Sequence, residues 1–219
     1  MNFGPREWTY PQPVFIVGSY DGQGRPDAMV CAWGGISSSH EICLSLSASH
    51  KTTKNILERG AFTVSMATLD MMKSCDFVGM ISANYEVNAD KLERAGFTTE
   101  KAQFVDAPVI LELPMCLECH LISYDEKNCH LFGEIENISI DKCILTDHRP
   151  DPAKLKPITF DPVTSSYYVL GEKVGVAGSE VHVESFRRAP YELLVEVRTF
   201  EVSDDFVLPC LRRDRRKIR

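Results

Sequence analysis

The sequence predicts a mainly β protein, a β-barrel of antiparallel strands with short helices inserted between them. Short runs rich in valine, isoleucine, phenylalanine, threonine and tyrosine recur along the chain. The helical stretches between these runs are brief, and glycines mark several of the breaks. This order lacks the regular strand–helix repeat of a doubly wound sheet, so a barrel is the favoured architecture.

A β-hairpin is predicted near the N-terminus. Residues 13–20 form an apolar run that is typical of a strand. Residues 21–24, Asp-Gly-Gln-Gly, supply the positive φ angles that a tight turn needs. The returning strand is predicted over residues 27–33.

Further elements follow from the same patterns. Strands are predicted over residues 41–47, 61–67, 115–124, 130–140, 160–170 and 191–202. Helices are predicted over residues 51–59, 68–78 and 89–95, the first with a stop at Gly60. Residues 151–157 are expected to form a loop or one helical turn.

Composition and charge argue against several classes of function. The chain has 219 residues and a formal net charge of -7, which argues against a general nucleic-acid binder. The N-terminus lacks a signal-peptide pattern, and no run approaches the roughly 18 apolar residues of a membrane span. We therefore expect a cytoplasmic protein without nucleic-acid or membrane partners, in which the 8 cysteines are mostly reduced.

One junction between a predicted strand and a predicted helix carries the residue types of a phosphate site. Residues 45–53 are Ser-Leu-Ser-Ala-Ser-His-Lys-Thr-Thr. Such a junction offers free main-chain N–H groups, hydroxyl donors and a cation, which together suit a phosphate. Serine and threonine are also common helix caps, and on residue chemistry alone simple capping is the favoured interpretation.

Motifs in a fixed order extend this pattern along the chain. They are Pro-x-Pro-Val at residues 11–14, Gly-x-Pro-Asp-Ala-Met at 24–29, Lys-Thr-Thr-Lys-Asn-Ile at 51–56, Asp-Phe-Val-Gly at 76–79, Asp-Lys-Leu at 90–92 and Gly-Glu-Lys-Val-Gly at 171–175. With these motifs the chain resembles the flavin reductase-like family of FMN-binding split barrels, near its flavoredoxin-type members. The resemblance implies a six-stranded antiparallel split β-barrel with short helices over residues 1–177. Residues 178–219 would be a C-terminal extension without an assigned role.

The resemblance also implies a set of cofactor contacts. The strand after the first hairpin would pass along the flavin ring and line it with Met29, Val30, Cys31, Ala32 and Trp33. The ribityl chain and phosphate of FMN would be held by Ser47, Ser49, Lys51, Thr52 and Thr53. Ser82 would lie near the ring or the substrate, although alanine follows it where the family often has glycine. Asp90 and Lys91 match the family and are expected to form a structural pair.

The function implied by this resemblance is that of an FMN-dependent oxidoreductase. It would transfer hydride from NAD(P)H to bound FMN and pass electrons to free flavin, ferric iron or another acceptor. No catalytic side chain or metal ligand is assigned, because the flavin supplies the chemistry. NAD(P)H would bind only transiently, since no Gly-x-Gly-x-x-Gly fingerprint is present, and a homodimer would complete the pocket. A flavoredoxin-like FMN electron carrier and a non-enzymatic binding barrel stay open as alternatives.

A competing motif, Cys-Leu-Glu-Cys-His at residues 116–120, matches the attachment pattern of c-type haem. This motif falls within a predicted strand, where Cys116 and Glu118 share one face and Cys119 lies on the other. Both cysteines cannot reach one haem, or one metal ion, from a regular strand. We therefore expect these cysteines to be structural.

Overall fold

Residues 1–177, which the computed structural model describes, contain many short strands and a few short helices. The strands are β1 (Gln12–Pro13), β2 (Phe15–Tyr20), β3 (Pro26–Cys31), β4 (Gly34–Ser38), β5 (Glu41–Ser45), β6 (Ala61–Met66), β7 (Thr99–Lys101), β8 (Pro108–Ile110), β9 (Met115–Asp125), β10 (His130–Ile140), β11 (Leu145–Thr146), β12 (Arg149–Pro150), β13 (Ile158–Asp161) and β14 (Ser166–Val169). The α-helices are α1 (Lys51–Arg59), α2 (Met72–Met80), α3 (Lys91–Arg94) and α4 (Pro152–Leu155). Residues Met1–Glu172 form one compact unit.

Seven strands form one curled antiparallel sheet in the order β3-β2-β6-β9-β10-β5-β4. β3 and β4 lie at its opposite edges, yet only Ala32 and Trp33 separate them along the chain. Because consecutive Cα atoms are 3.80 Å apart, this connection spans at most about 11 Å. The sheet must therefore curl until its two edges approach each other. The main-chain N–H of Ser45 in β5 donates to the carbonyl of Trp33 (2.8 Å) and ties this junction to β5.

Two apolar clusters cover the two faces of the curled sheet. Ile16 of β2 packs in one cluster with residues of α2, α3 and β13, such as Val78 and Leu92. Its neighbour Val17 points to the other face and packs with Phe62 of β6 and other buried residues from β3, β5, β9 and β10. Since this second cluster draws on six strands, it fills the interior of the curl. β2 and β6 are consequently buried on both faces.

Most predicted elements are confirmed. α1 has the predicted bounds, and Gly60 ends it with φ 70°, its N–H donating to the carbonyl of Ile56 (2.8 Å). β10 also has the predicted bounds, and β9 is one residue longer than predicted. The helix predicted over residues 68–78 begins only at Met72, because Thr68 forms a β-bridge with Pro157 instead. The β-barrel class with helical insertions is confirmed.

Several short strands were not predicted, among them β4, β7, β8, β11 and β12. β4 gives the main sheet its seventh strand, and its Gly-Gly-Ile-Ser-Ser sequence lacks an apolar alternation. β7 and β8 have three residues each and pair only with each other. Strands of two or three residues are too short to show the alternation of apolar and polar residues from which a strand is predicted. The strand predicted over residues 191–202, like all of residues 178–219, lies outside the described residues.

None of the helices in residues 1–177 has the length and apolar character that a membrane span requires.

One close approach inside the barrel depends on a glycine. Gly133 of β10 is buried at a register shift, and a Cβ atom there would overlap the ring of Phe62, with Cε1 only 2.7 Å away. The main-chain oxygen of His120 would be 3.3 Å from the same atom. The interior of the barrel is therefore filled to the point where β10 tolerates no side chain at this position.

Gly133→Ala should lower the free energy of unfolding by about 1–3 kcal/mol, because the added methyl group overpacks the core. Urea unfolding followed by circular dichroism measures this change. Gly35→Ala is the matched control, since a Cβ on Gly35 of β4 meets nothing within 4 Å. Equal destabilisation by the two substitutions would contradict the close packing at Gly133.

Candidate functional site

The exposed edge of β3 forms one wall of a groove. Its last residues and the link to β4 line a cavity of about 460 Å³ together with α2 and the β13–β14 hairpin. The lining residues from β3 and the link are Met29, Val30, Cys31, Ala32 and Trp33. All five were predicted as cofactor contacts, and the structure brings them together along one wall.

The position of β3 at the sheet edge leaves part of its main chain free. β3 pairs with β2 on one side, and among residues 1–177 no strand pairs with its other side. In such an edge strand, alternate residues direct their N–H and C=O groups away from the partner strand. The groove wall can therefore donate and accept hydrogen bonds through its backbone, regardless of which side chains β3 carries.

A second cavity, of about 240 Å³, continues the groove toward α1. The two cavities share Met29, His50, Gly79 and Met80, so they form one continuous depression that we call the long groove. The second cavity adds Lys51 and Thr52 from α1 and Ser82 from the segment after α2. Lys51, Thr52 and Ser82 were also predicted contacts.

The far end of the long groove has the chemistry of an anion site. α1 begins at Lys51, and His50 before it makes no side-chain cap. The first-turn N–H groups of a helix have no intrahelical acceptor, and the helix dipole adds positive potential there. Beside this end, the hydroxyls of Ser47 and Ser49 lie 2.9 Å apart. A ligand phosphate would find main-chain donors, hydroxyls and the Lys51 ammonium within one turn of chain.

The predicted contacts in this segment differ in their accessibility. The side chains of Thr52 and Thr53 are buried, and the Thr52 hydroxyl donates to Asp27 (2.6 Å). Each of them can therefore serve a ligand mainly through its main-chain N–H. Ser47, Ser49 and Thr53 lie beside the long groove and are not among the residues that line its two cavities.

The second wall of the long groove was only partly predicted. Asp76, Gly79 and Met80 of α2 face β3, and a Cβ on Gly79 would be 2.7 Å from Cγ2 of Val30. Glycine at this position lets α2 pack directly on the edge strand. The Asp-Phe-Val-Gly motif at residues 76–79 was the signal for this contact.

An aromatic cluster closes the same cavity at the Trp33 end. The ring of Phe160 in β13 lies 6.1 Å from that of Trp33 and 5.8 Å from that of Tyr167 in β14, centroid to centroid. The Tyr167 hydroxyl donates to Asp76 (2.8 Å), which fastens the hairpin to α2. Burial, the hydrogen bond to Asp76 and the charge of Asp76 raise the pKa of Tyr167 to about 12. Sequence reasoning missed Phe160 and Tyr167, since more than 120 residues separate them from Trp33.

Two groups that line the groove, the thiol of Cys31 and the imidazole of His50, favour their neutral forms near pH 7. Burial raises the pKa of the Cys31 thiol to about 11, so it is not a thiolate nucleophile. Burial also lowers the pKa of His50, which favours the neutral imidazole. The arrangement is suited to binding and orienting a ligand by hydrogen bonds and one cation.

The Cys-Leu-Glu-Cys-His motif at residues 116–120 lies in β9, and none of its residues lines the long groove. Cys116, Glu118 and Cys119 are buried, and His120 is exposed. Cys119 packs in the barrel interior with Leu117, whereas Cys116 and Glu118 point to the opposite face. One haem or metal ion therefore cannot bind both cysteines. Within residues 1–177, no three His, Cys, Asp or Glu side chains are placed to hold a metal ion.

Comparison with known proteins identifies the family. Residues 8–155 match the model of the flavin reductase like domain. The chain belongs to the flavin reductase-like family. This confirms the predicted family and its split-barrel fold, and it supports a flavin cofactor and an oxidoreductase role.

Solved structures of the family extend the match. The flavoredoxin of Desulfovibrio vulgaris (Miyazaki F) is 37% identical, and the match covers 82% of this chain and 98% of that one with a TM-score of 0.77. A flavoredoxin from Methanosarcina acetivorans shares the fold at 23% identity and a TM-score of 0.74, with 82% and 96% of the two chains covered.

Two curated relatives are similar to parts of this chain. A protein of Aquifex aeolicus (strain VF5) is 30% identical over 121 residues, 54% of this chain and 59% of that protein. The match thus spans less than two thirds of that relative. A protein of Archaeoglobus fulgidus is 28% identical over 149 residues, 66% of this chain and 81% of that protein.

Tyr167→Phe should lower the free energy of unfolding by about 0.5–1 kcal/mol at pH 8, because it removes the hydrogen bond to Asp76. The folded-state pKa is raised from 10.0 to about 12, so this stabilisation is complete below pH 10 and is lost as the pH rises through 12. Urea unfolding at pH 8 and pH 11 tests both statements. Tyr168→Phe, at the exposed neighbouring residue, is the control. If Tyr167→Phe lowered the free energy of unfolding more at pH 11 than at pH 8, the hydrogen bond from Tyr167 to Asp76 would not be the cause.

Proposed function

We propose that the chain is an FMN-dependent oxidoreductase that takes hydride from NADH or NADPH and passes electrons to a separate acceptor. The observation that carries this proposal is the continuity of the long groove. One end of the groove is the edge of β3, a flat wall with polar main-chain groups. The other end is the start of α1, which has no side-chain cap and forms an anion site. A flavin ring linked to a phosphate has the same two chemical ends.

The residues of the long groove fit FMN by their donor set. The free main-chain groups of β3 would meet the polar edge of the ring, and the apolar side chains beside them would meet its faces. Lys51 and the first-turn N–H groups of α1 would neutralise the phosphate. When bound, FMN supplies the hydride and electron transfer, so no protein side chain has to act as acid or base. The protein contributes binding, orientation and exclusion of water.

NAD(P)H would be a transient substrate, and we expect its nicotinamide ring to bind beside the aromatic cluster. Trp33 is 41% exposed beside Phe160 and Tyr167, and flat rings stack readily on such surfaces. The electron acceptor, which sequence analysis leaves as free flavin, ferric iron or another compound, would use the same side of the groove.

A homodimer is part of this proposal. The strands β4, β9 and β10 expose the apolar side chains Ile36 (65%), Ile122 (50%) and Ile138 (45%). All three strands belong to the same sheet, and contiguous apolar patches mark surfaces that associate. A second copy would cover them and complete the pocket. A cytoplasmic location stays a prediction from the sequence.

An FMN electron carrier without its own NAD(P)H turnover is the second candidate. Its support is the 37% identity to a flavoredoxin over 98% of that chain. The two candidates share the flavin and differ in whether a pyridine nucleotide reduces it.

The visible absorption spectrum of the purified protein, recorded without oxygen before and after adding NADH or NADPH, separates these functions. We expect flavin absorption bands that bleach when the nucleotide is added, and no Soret band. Free FMN with the same nucleotide is the control. Bands that persist would favour the electron carrier, and a protein that binds no added FMN would overturn both candidates.

Lys51→Ala should weaken FMN binding by about 10–100-fold, because it removes a charged partner of the phosphate. Riboflavin binding should change much less, since riboflavin has no phosphate. Titration of each flavin with protein, followed by flavin fluorescence, gives both dissociation constants. Lys127→Ala, in the turn between β9 and β10, is the matched control. An equal loss for both flavins would contradict the placement of the phosphate at α1.

A further inference from the structure

A buried ion pair lies beneath the α1 end of the long groove. The Lys91 ammonium is 2.8 Å from Oδ1 of Asp27, and the two side chains are only 4% and 5% exposed. Oδ2 of Asp27 accepts a hydrogen bond from the Thr52 hydroxyl (2.6 Å). The Lys91 ammonium also donates to the carbonyl of Ile81 (3.1 Å). We call the three side chains of Asp27, Thr52 and Lys91 the buried polar triad.

This pairing differs from the one expected from the sequence. Lys91 was expected to pair with its neighbour Asp90, but Asp90 instead lies 3.5 Å from Arg94 on the surface. Asp27, on the edge strand β3, is the residue that Lys91 reaches. The correction has a physical reason: adjacent residues at a helix start point in different directions, whereas β3 passes under α3.

The triad connects the elements that form the α1 end of the groove. Asp27 belongs to β3, Thr52 to the first turn of α1, and Lys91 to α3. Through the carbonyl of Ile81, Lys91 also holds the segment that continues to Ser82. Thr52, Ile81, Ser82 and Lys91 all line the cavity of about 240 Å³ at this end.

Burying two charges is costly, so a buried pair is weak evidence for stability and stronger evidence for a defined geometry. Apolar residues of similar size could fill this space without desolvating any charge. An ion pair with a hydroxyl partner, however, fixes distances and directions between three elements to within hydrogen-bond tolerance. The triad thereby fixes the distance and orientation between the first turn of α1 and the segment at residues 81–83.

We propose that the buried polar triad is a positioning unit for phosphate recognition, and that it makes the site selective for a phosphorylated flavin over riboflavin. It holds the N–H groups of α1 and the Ser82 segment at the spacing that a phosphate needs. The inference rests on the proposed FMN function. The Lys91 ammonium pairs with Asp27 and donates to the carbonyl of Ile81, so it does not pair with the phosphate itself. The triad therefore acts on the phosphate site through the positions of Thr52 and Ile81.

The test is the ratio of the dissociation constants of riboflavin and FMN, measured by fluorescence titration. Thr52→Val removes only the hydroxyl and keeps size and charge, and it should lower this ratio by about tenfold. Thr52→Ser keeps the hydroxyl and should retain the wild-type ratio. Asp27→Asn and Lys91→Met should lower the ratio in the same direction as Thr52→Val, because each breaks the same geometry.

The control variant breaks a Lys–Asp ion pair that lies on the surface, away from the groove. Lys101 and Asp106 are 3.0 Å apart on the surface, with 68% and 48% of their side chains exposed. Lys101→Met should leave the ratio unchanged. Circular dichroism identifies variants that fail to fold. If Asp27→Asn and Lys91→Met both fail to fold, the isosteric Thr52→Val alone decides whether the triad positions the phosphate site.

Each remaining outcome overturns the proposal in a recognisable way. A higher ratio for Asp27→Asn with a lower one for Lys91→Met would show a direct charge effect on the phosphate instead of positioning. A fall in affinity for both flavins by the same factor, or an unchanged ratio in Thr52→Val, would assign the triad to general structure. Failure of the wild-type protein to bind any flavin would instead refute the proposed function itself.

Discussion

The short link between β3 and β4 is the constraint on which the rest of the structure depends. Because two residues join the opposite edges of a seven-stranded sheet, the sheet has to curl. The curl encloses one apolar cluster and leaves the other for α2, α3 and β13 to cover. It also leaves β3 as an edge with free main-chain groups and places Trp33 at the corner. The long groove is a direct consequence of this geometry.

The two ends of the long groove are built by different physical means. At the Trp33 end, aromatic rings and a hydrogen bond from Tyr167 to Asp76 hold the β13–β14 hairpin against α2. At the α1 end, a helix start without a side-chain cap, a lysine and serine hydroxyls supply positive potential and donors. Under the proposed function, a ligand with a flat ring and a phosphate would be matched in chemistry at both ends and would bind in one orientation.

Buried polar groups tie together parts of the chain that are far apart in sequence. Burial would raise the pKa of Glu118, but hydrogen bonds from Ser139, the Phe104 N–H and Asn137 outweigh it and lower the pKa. The carboxylate thereby anchors the residue 103–107 loop to β9 and β10. Asp27 does the same for β3, α1 and α3. Such networks penalise alternative packings, because any slip leaves a buried charge unpaired.

The sequence by itself determined the family, the β-barrel class, the bounds of α1 and β10, and the residues of β3 that line the groove. The class and the element bounds are local features, which an apolar period or a glycine stop carries. The family and the groove residues of β3 came from a resemblance of motifs in a fixed order along the chain. Only the tertiary structure decided the partner of Lys91, the buried state of Thr52 and Thr53, and the aromatic wall of Phe160 and Tyr167. Those features depend on contacts between segments far apart in the chain, whose distances are set by the curl of the sheet.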